Sequence, residues 1–441
     1  MTEASNGQAA AAAGQGQIPI RQVAAAVVGN GLEFYDFTTY ALFATALGHT
    51  FFPSHTPFAS LMLSLLTYAV GFVSRPAGAL AIGYIGDRFG RKPAMLLSFA
   101  LMGLGMLGLV LIPPYAMIGA AAPALLVLCR LVQGFALGGE VGPTTAFLIE
   151  AARPTSRGLV GSWQSASQAV ASLVGASVGL MLSHLLAPAQ LEAYGWRIAF
   201  ALGVVVLPFG LVLRRSLPET LHRPEPASAS GAAASGWKVD VRPLVLGLMM
   251  IMSFTTSTYV LLYMTTYASQ TLHMNQASSF AASVANGISG IVFTLLGGAL
   301  SDRLGRRPVM IAARTLFLLC TLPAFLLMVR NHDGLTVILC TGLMSAFSSM
   351  SVGAALVAMS ESMRKEMRSL GLALIYAIGV TVFGGFAQPW VAWLIKATHD
   401  PLAPAWYMMA AALVGIVAMV LMPETRPAPA AIDGAAPVEL A

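Results

Sequence analysis

Twelve apolar runs, each of bilayer-spanning length, leave this 441-residue chain few ways to fold. They fall at about 20–48, 58–86, 93–112, 120–149, 160–186 and 197–214, then at 243–269, 277–300, 308–328, 335–360, 369–396 and 402–422. A span needs about 20 apolar residues because each adds 1.5 Å of helix across a hydrocarbon core about 30 Å thick. Only 10% of the residues are charged, against about 25% in a soluble domain. That deficit excludes a soluble, a disordered or a nucleic-acid-coating protein, whose basic surface needs many Lys and Arg. Cys129, Cys320 and Cys340 lie in apolar runs without ligand spacing, so neither a disulfide framework nor a metal site is expected.

The expected fold is an all-α membrane protein of twelve transmembrane helices in two six-helix bundles. Residues 1–18 read as a disordered tail, 19–214 as the first bundle, 215–242 as a linker, 243–423 as the second bundle and 424–441 as a second tail. The linker holds Pro218, Pro224 and Pro226 before a Ser/Ala/Gly run ending at Gly236. No cleavable signal is expected, since no basic residue precedes an apolar core in Met1–Gln17. With both termini inside, 18 of the 24 Lys and Arg fall in inner segments. Only Arg197, Arg330 and Lys396 fall at outer edges, and Arg75, Arg130 and Arg314 fall within spans. That bias predicts cytoplasmic termini. Arg314 is expected to snorkel to the inner face.

The chain repeats itself. Gly83-Tyr-Ile-Gly-Asp87-Arg-Phe-Gly-Arg91-Lys-Pro93 returns as Gly298-Ala-Leu-Ser-Asp302-Arg-Leu-Gly-Arg306-Arg-Pro308. Two helices later in each half, Glu150 precedes Arg157 by seven residues and Glu361 precedes Arg368 by seven. Parallel six-helix repeats about an axis along the membrane normal are the arrangement of major-facilitator transporters. Asp87 and Arg91, like Asp302 and Arg306, can pair with each other or with neighbouring helix ends.

Five ionisable residues lie deep in the first half: Glu33, Asp36, Arg75, Arg130 and Glu140. Each costs about 2.5–3.5 kcal/mol at mid-bilayer on insertion scales, so they must face one another or a wet cavity. Glu33 and Asp36 share a helix face. Arg75 and Arg130 can bind a carboxylate in bidentate fashion, or pair structurally with an acid. Gln164 and Gln168 lie one turn apart, Tyr259 and Tyr263 share a face of the Thr/Tyr-rich seventh span, and Gln133, Asn286 and Tyr376 add further polar groups. Six of the seven His fall near outer span ends, where loop polarity accounts for them.

Gly29-Asn-Gly-Leu-Glu33-Phe-Tyr-Asp36-Phe37, Ser74-Arg75-Pro-Ala-Gly78, Arg130-Leu-Val-Gln133-Gly134 with Gly138-Gly-Glu140, and Trp196-Arg197 resemble the metabolite:proton symporter family of the major facilitator superfamily. Phe58-Ala-Ser-Leu-Met-Leu63 and Ser162-Trp-Gln164-Ser-Ala-Ser-Gln168 look most like its citrate and tricarballylate symporters. The chain departs from the family after Glu361, where relatives show an apolar-Pro turn and Ser362-Met-Arg-Lys-Glu-Met stands here.

The resemblance implies a monomeric secondary transporter of the bacterial inner membrane, importing a tri- or dicarboxylate with protons, with sodium left open as coupling ion. Asp36, Glu33 and Arg130 would couple the proton. Arg75, Arg130, Gln133, Glu140, Gln164, Gln168, Tyr259, Tyr263 and Asn286 would meet substrate. Asp87, Arg91, Glu150, Arg157, Asp302, Arg306, Glu361 and Arg368 would form inner-face latches. Ketoacid, aromatic-acid and osmolyte carriers of the same family are rival readings. A non-transporting sensor would need a signalling extension beyond tails of about 18 residues. No catalytic set, metal ligands or cofactor, and no nucleic-acid partner, are expected.

Overall fold

The structure, a computed structural model, describes residues 20–89, 91–138, 148–149, 152–153, 155–215, 241–363 and 368–426. Among the described residues every regular element is helical. Nine segments of the described residues are long and apolar enough to cross a membrane: Pro57–Ile85, Pro93–Leu111, Arg157–Leu185, Val241–Thr271, Gln276–Leu304, Arg306–Asn331, Gly334–Glu361, Leu374–Thr398 and Ala403–Leu421. The other three expected runs contain the helices Ile20–Leu42, Ala121–Leu137 and Trp196–Arg215. Most of the expected linker and tails lies outside the described residues.

Local chemistry sets where several helices begin and bend. Thr56 caps the Pro57–Val73 helix by accepting from the Ala59 N–H at 3.3 Å, with Pro57 already holding a helical φ. Asn275 and Asp333 cap Gln276–Leu304 and Gly334–Glu361 in the same way. The long segment over 57–89 is broken at Ser74 because Pro76 has no N–H for the carbonyl four residues earlier, at Phe72. That freed carbonyl accepts instead from the Thr381 hydroxyl of the second half, at 3.1 Å. A break in one helix thus supplies a polar contact between the halves.

Small residues decide which helices touch. A Cβ at Gly134 would stand 1.6 Å from the Gly71 carbonyl oxygen, and one at Gly78 1.8 Å from that of Phe135. The Pro57–Val73 and Arg75–Phe89 helices therefore lie almost backbone to backbone on Ala121–Leu137. Close approach through small residues is how helices associate where lipid leaves no hydrophobic drive between them. Between the halves the principal seam runs along Arg157–Leu185 and Gln276–Leu304. It is closed near one end at Gly158 and Gly298, in the middle at Gly287 against Leu173, and near the other end at Gly179 against the Phe280 ring.

Arg314 departs from its sequence reading. It does not snorkel: its side chain is fully buried inside the second half and bonded to serines. The Arg306–Asn331 helix turns that face toward its neighbours rather than toward the head groups, and three hydroxyls satisfy the guanidinium there.

The two glycine seams make different predictions. Gly134→Leu overpacks a contact inside one half, so thermal melting in detergent should show a loss at or above the ~1–3 kcal/mol usual for overpacked sites. Gly298→Leu obstructs only the seam between halves. It should fold with near-wild-type melting but lose the transport that the family resemblance implies, and retained transport would show that the seam need not close.

Candidate functional site

Between the halves lies a cavity of about 110 Å³, several times the roughly 10–15 Å³ that one water needs. Phe37, Tyr68 and Gln168 face it from the first half, and Tyr259, Asn286 and Ser348 from the second. The Phe72–Thr381 contact and the glycine seam flank it. Its wall is mixed on both sides: Phe34, Phe37 and Tyr68 stand with Thr38 and Gln168 in the first half, and Tyr259 with Asn286 and Ser348 in the second.

Behind the aromatic wall, the Ile20–Leu42 and Ala121–Leu137 helices bring three buried polar side chains together. Arg130 Nη1 donates to Asp36 Oδ2 at 2.8 Å and to Gln133 Oε1 at 2.8 Å. Gln133 Nε2 closes the ring by donating to Asp36 Oδ1 at 2.9 Å. Asp36, Arg130 and Gln133 are each 0% exposed. Both carboxylate oxygens are thereby satisfied. The remaining Arg130 nitrogens, Nε and Nη2, find no hydrogen-bond acceptor among the described residues. They lie among ring faces, with Cζ 4.2 Å from the Phe37 centroid, 4.6 Å from Tyr40 and 5.7 Å from Tyr68. Such faces are attractive to a desolvated cation. The pair is therefore held on one side by charge and on the other by quadrupoles.

Arg75 adopts the same posture one helix away. It is buried, with its Cζ 4.0 Å from the Phe72 ring and 4.7 Å from Phe37. Its Nε and Nη2 lack acceptors among the described residues. Tyr259 and Tyr376 lie close enough to feel its charge, and Tyr376 also meets Gln168.

Of the residues expected to meet substrate, Gln168, Tyr259 and Asn286 line the cavity. Arg75, Arg130 and Gln133 stand behind its aromatic wall. Gln164 is buried one turn from Gln168, where its carbonyl accepts from Asn30 Nδ2 at 3.0 Å. Tyr263 is buried at the point where the helix from Val241 ends at Leu262, and does not border the cavity. Glu33 is buried on the Asp36 helix, one turn away. Glu140 lies outside the described residues.

The repeated loop of the second half forms a dense polar node. Arg306 Nη1 donates to Asp302 at 2.6 Å, and its Nε to Glu361 at 3.3 Å. Asp302 also crosses to the first half, accepting the N–H groups of Gly158 and Leu159 at 2.8 and 2.9 Å. These are the first orphan donors of the Arg157–Leu185 helix, so one carboxylate caps a helix of the opposite half and meets its positive dipole end. Both pairings expected of Asp302, with its Arg and with a helix end, occur together. Arg157 opens that helix, and its buried Nε has no acceptor among the described residues. Glu150 lies outside the described residues, as do the side chains of Asp87, Arg91 and Arg368.

Several members of these clusters escape a sequence reading. Tyr68 stands between both arginines with a buried hydroxyl that has no partner among the described residues, but in sequence it is one aromatic among many. Glu424 falls in the expected tail, yet its carboxylate accepts the N–H groups of Arg306 and Arg307, both at 2.9 Å. Thr425 reaches Glu361 from the same segment, at 2.9 Å. A signal for it exists, since Pro218-Glu-Thr220 recurs as Pro423-Glu-Thr425 at the end of each half. Burial pushes the Glu424 carboxyl up, but the N–H groups of Arg426, Arg306, Arg307 and Thr425 outweigh it and hold it below the usual glutamate range.

Comparison with known proteins places this architecture. Residues 22–223 match the family model described as sugar (and other) transporter, and residues 246–440 match that of the major facilitator superfamily. The citrate-proton symporter of Salmonella typhi is 36% identical over 401 residues, 89% of this chain and 92% of that protein. The α-ketoglutarate permease of Escherichia coli K12 is 33% identical over 404 residues, 89% and 91% of the two chains. The proline/betaine transporter of Salmonella typhimurium is 31% identical over 435 residues, 95% and 85%. In fold the chain is similar to the xylose transporter XylE of E. coli in a partially occluded inward-open conformation, with a TM-score of 0.73 at 19% identity. The match covers 93% of this chain and 99% of that one.

The Glu424 cap predicts a pH signature. Its folded carboxyl titrates below its unfolded value, so its contribution is complete above the ordinary glutamate range and disappears as pH falls through the folded value. Because the side chain is exposed, the contribution is small. Glu424→Gln should melt slightly lower than wild type at pH 7, and the gap should close as pH falls below the ordinary glutamate range. A gap independent of pH would contradict the cap.

Proposed function

We propose that this chain, which belongs to the major facilitator superfamily, is a proton-coupled symporter importing an organic acid anion, with citrate or a related tri- or dicarboxylate as substrate. Its twelve helices cross the bacterial inner membrane with both termini and the Asp302 node on the cytoplasmic side. The two halves rock about the central cavity in alternating access, and the node latches the inner face while the outer face opens. The single observation that carries this reading is the buried Asp36–Arg130–Gln133 ring, one aromatic layer from the cavity.

In this mechanism a proton and a carboxylate compete for one guanidinium. With Asp36 ionised, Arg130 is neutralised and the cavity wall carries no net attraction from it. Protonating Asp36 leaves Arg130 with only Gln133 and ring faces, so its charge acts through the wall. At about 8 Å and an effective dielectric of about 20, a unit charge is worth about 2 kcal/mol to a carboxylate, or roughly thirty-fold in affinity. Tyr68, Gln168, Tyr259 and Asn286 supply the directional donors. Proton and anion binding thus favour each other, as symport demands. Glu33 is the second acid of the relay, and Arg75 adds a further positive charge beside Tyr259.

A second reading has support as well. Phe34, Phe37, Tyr68 and Tyr259 form an aromatic lining that would suit a quaternary ammonium, and betaine carriers are among the relatives. Uptake of labelled citrate, tricarballylate, α-ketoglutarate and betaine into proteoliposomes under an imposed pH gradient separates the two. Accumulation of a carboxylate that collapses with the gradient is expected, and uptake of betaine alone would overturn the anion reading. Asp36→Asn should abolish gradient-driven accumulation. Arg130→Gln should raise KM for the transported acid by roughly thirty-fold, and an unchanged KM would make Arg130 purely structural.

A further inference from the structure

Buried guanidinium groups stand behind both sides of the cavity, Arg130 and Arg75 in the first half and Arg314 in the second. Arg130 faces Asp36. Arg314, also 0% exposed, has no carboxylate among its contacts with the described residues. Its Nε donates to Ser253 Oγ at 3.0 Å, its Nη2 to Ser257 Oγ at 2.6 Å and to the Ser253 carbonyl, and its Nη1 to Ser348 Oγ at 3.3 Å. The rings of Phe317 and Phe254 stand 4.7 and 5.3 Å from its Cζ. Hydroxyl dipoles and ring faces satisfy its hydrogens without cancelling its charge. A charged residue in a span is expensive and marks a functional site unless something pairs with it.

We infer that Arg314, acting through Ser348, is the anion-recognition element of the second half and selects substrates bearing a second carboxylate. Ser348 borders the cavity beside Ser349 and Asn286. Its oxygen accepts from Arg314 and therefore points its own O–H elsewhere, which makes it a polarised donor at the wall. The charge behind it has no competing acid, so it stays available at every stage of the proton cycle. Arg130 is switched by protonation and Arg314 is constant. A dicarboxylate or tricarboxylate spans both walls, whereas a monocarboxylate or zwitterion satisfies one. Arg314 is a positioning and electrostatic residue, since Ser348 lies between it and the cavity. This assignment rests on the organic-anion reading above.

The test uses the full-length protein in proteoliposomes, with counterflow of tricarballylate, glutarate and propionate measured for wild type, Arg314→Gln, Arg314→Lys and Ser348→Ala. Arg314→Gln should raise KM roughly tenfold for the two polycarboxylates, with little change for propionate. Arg314→Lys should recover most of that affinity, and Ser348→Ala should reproduce the same charge preference more weakly. An equal loss for all three acids, unrelieved by Lys, would make Arg314 a packing residue and overturn the inference. If Arg314→Gln fails to fold, Ser348→Ala decides, and an unchanged preference for polycarboxylates in it is equally fatal. A wild-type protein that moves none of the three acids overturns the anion reading itself, and this assignment with it.

Discussion

Asp36 and Arg130 sit where neither charge could remain by itself, in the middle of an apolar helical bundle, and the design of the first half follows from keeping them together. Gln133 completes the ring so that neither carboxylate oxygen is left bare. Phe37, Tyr40 and Tyr68 present ring faces to the side of the guanidinium that no acceptor reaches. The helix that carries Arg130 and Gln133 is fixed by neighbours packed through glycine, with Gly71 against Gly134 and Gly78 against Phe135. A looser contact would let the ring rearrange or admit lipid. Low dielectric makes a satisfied pair strong and an unsatisfied charge costly, so the same burial that stabilises one state can drive an exchange of partners when a proton arrives.

The second half has a different economy. Its inward charge, Arg314, is held by serines, and two of its acids, Asp302 and Glu361, meet at one end, where they share Arg306. From there Asp302 reaches across to the start of the Arg157–Leu185 helix. Charges at the centre of the molecule can answer to a ligand, and charges at its end can answer to the relative position of the halves. The cavity lies between these two systems, and the continuous Arg157–Leu185 and Gln276–Leu304 seam makes them mechanically one. Coupling between them needs no wire beyond rigid helices and a contact that is either made or broken.

Much of this was legible in the chain before any coordinates. Apolar run lengths point to the helices and the repeated Asp-Arg-x-Gly-Arg loop to the halves and the node, while the cost of stranded charge says only that the buried ionisable residues need partners or water, and the family resemblance singles out Asp36 with Arg130. What escaped is of a different physical kind. Arg314 reads as a snorkelling side chain because its distance from a helix end is visible and the direction of its helix face is not. Tyr68 and Phe72 act by standing beside a guanidinium, which no spacing rule encodes. Glu424 lies past the last apolar run, and only its backbone partners reveal it as a cap. The cavity wall also divides the predicted ligands: Gln164 and Gln168 share a face by periodicity, but Gln168 borders the cavity while Gln164 is buried beside it.

The central claim is that Asp36 gives up Arg130 by taking a proton as substrate enters, and infrared difference spectroscopy of the reconstituted protein reads that event directly. Adding the transported acid at neutral pH should produce a protonated-carboxyl carbonyl band that shifts in deuterium oxide and is missing in Asp36→Asn. Substrate binding with no such band, or with the same band in Asp36→Asn, would contradict the account.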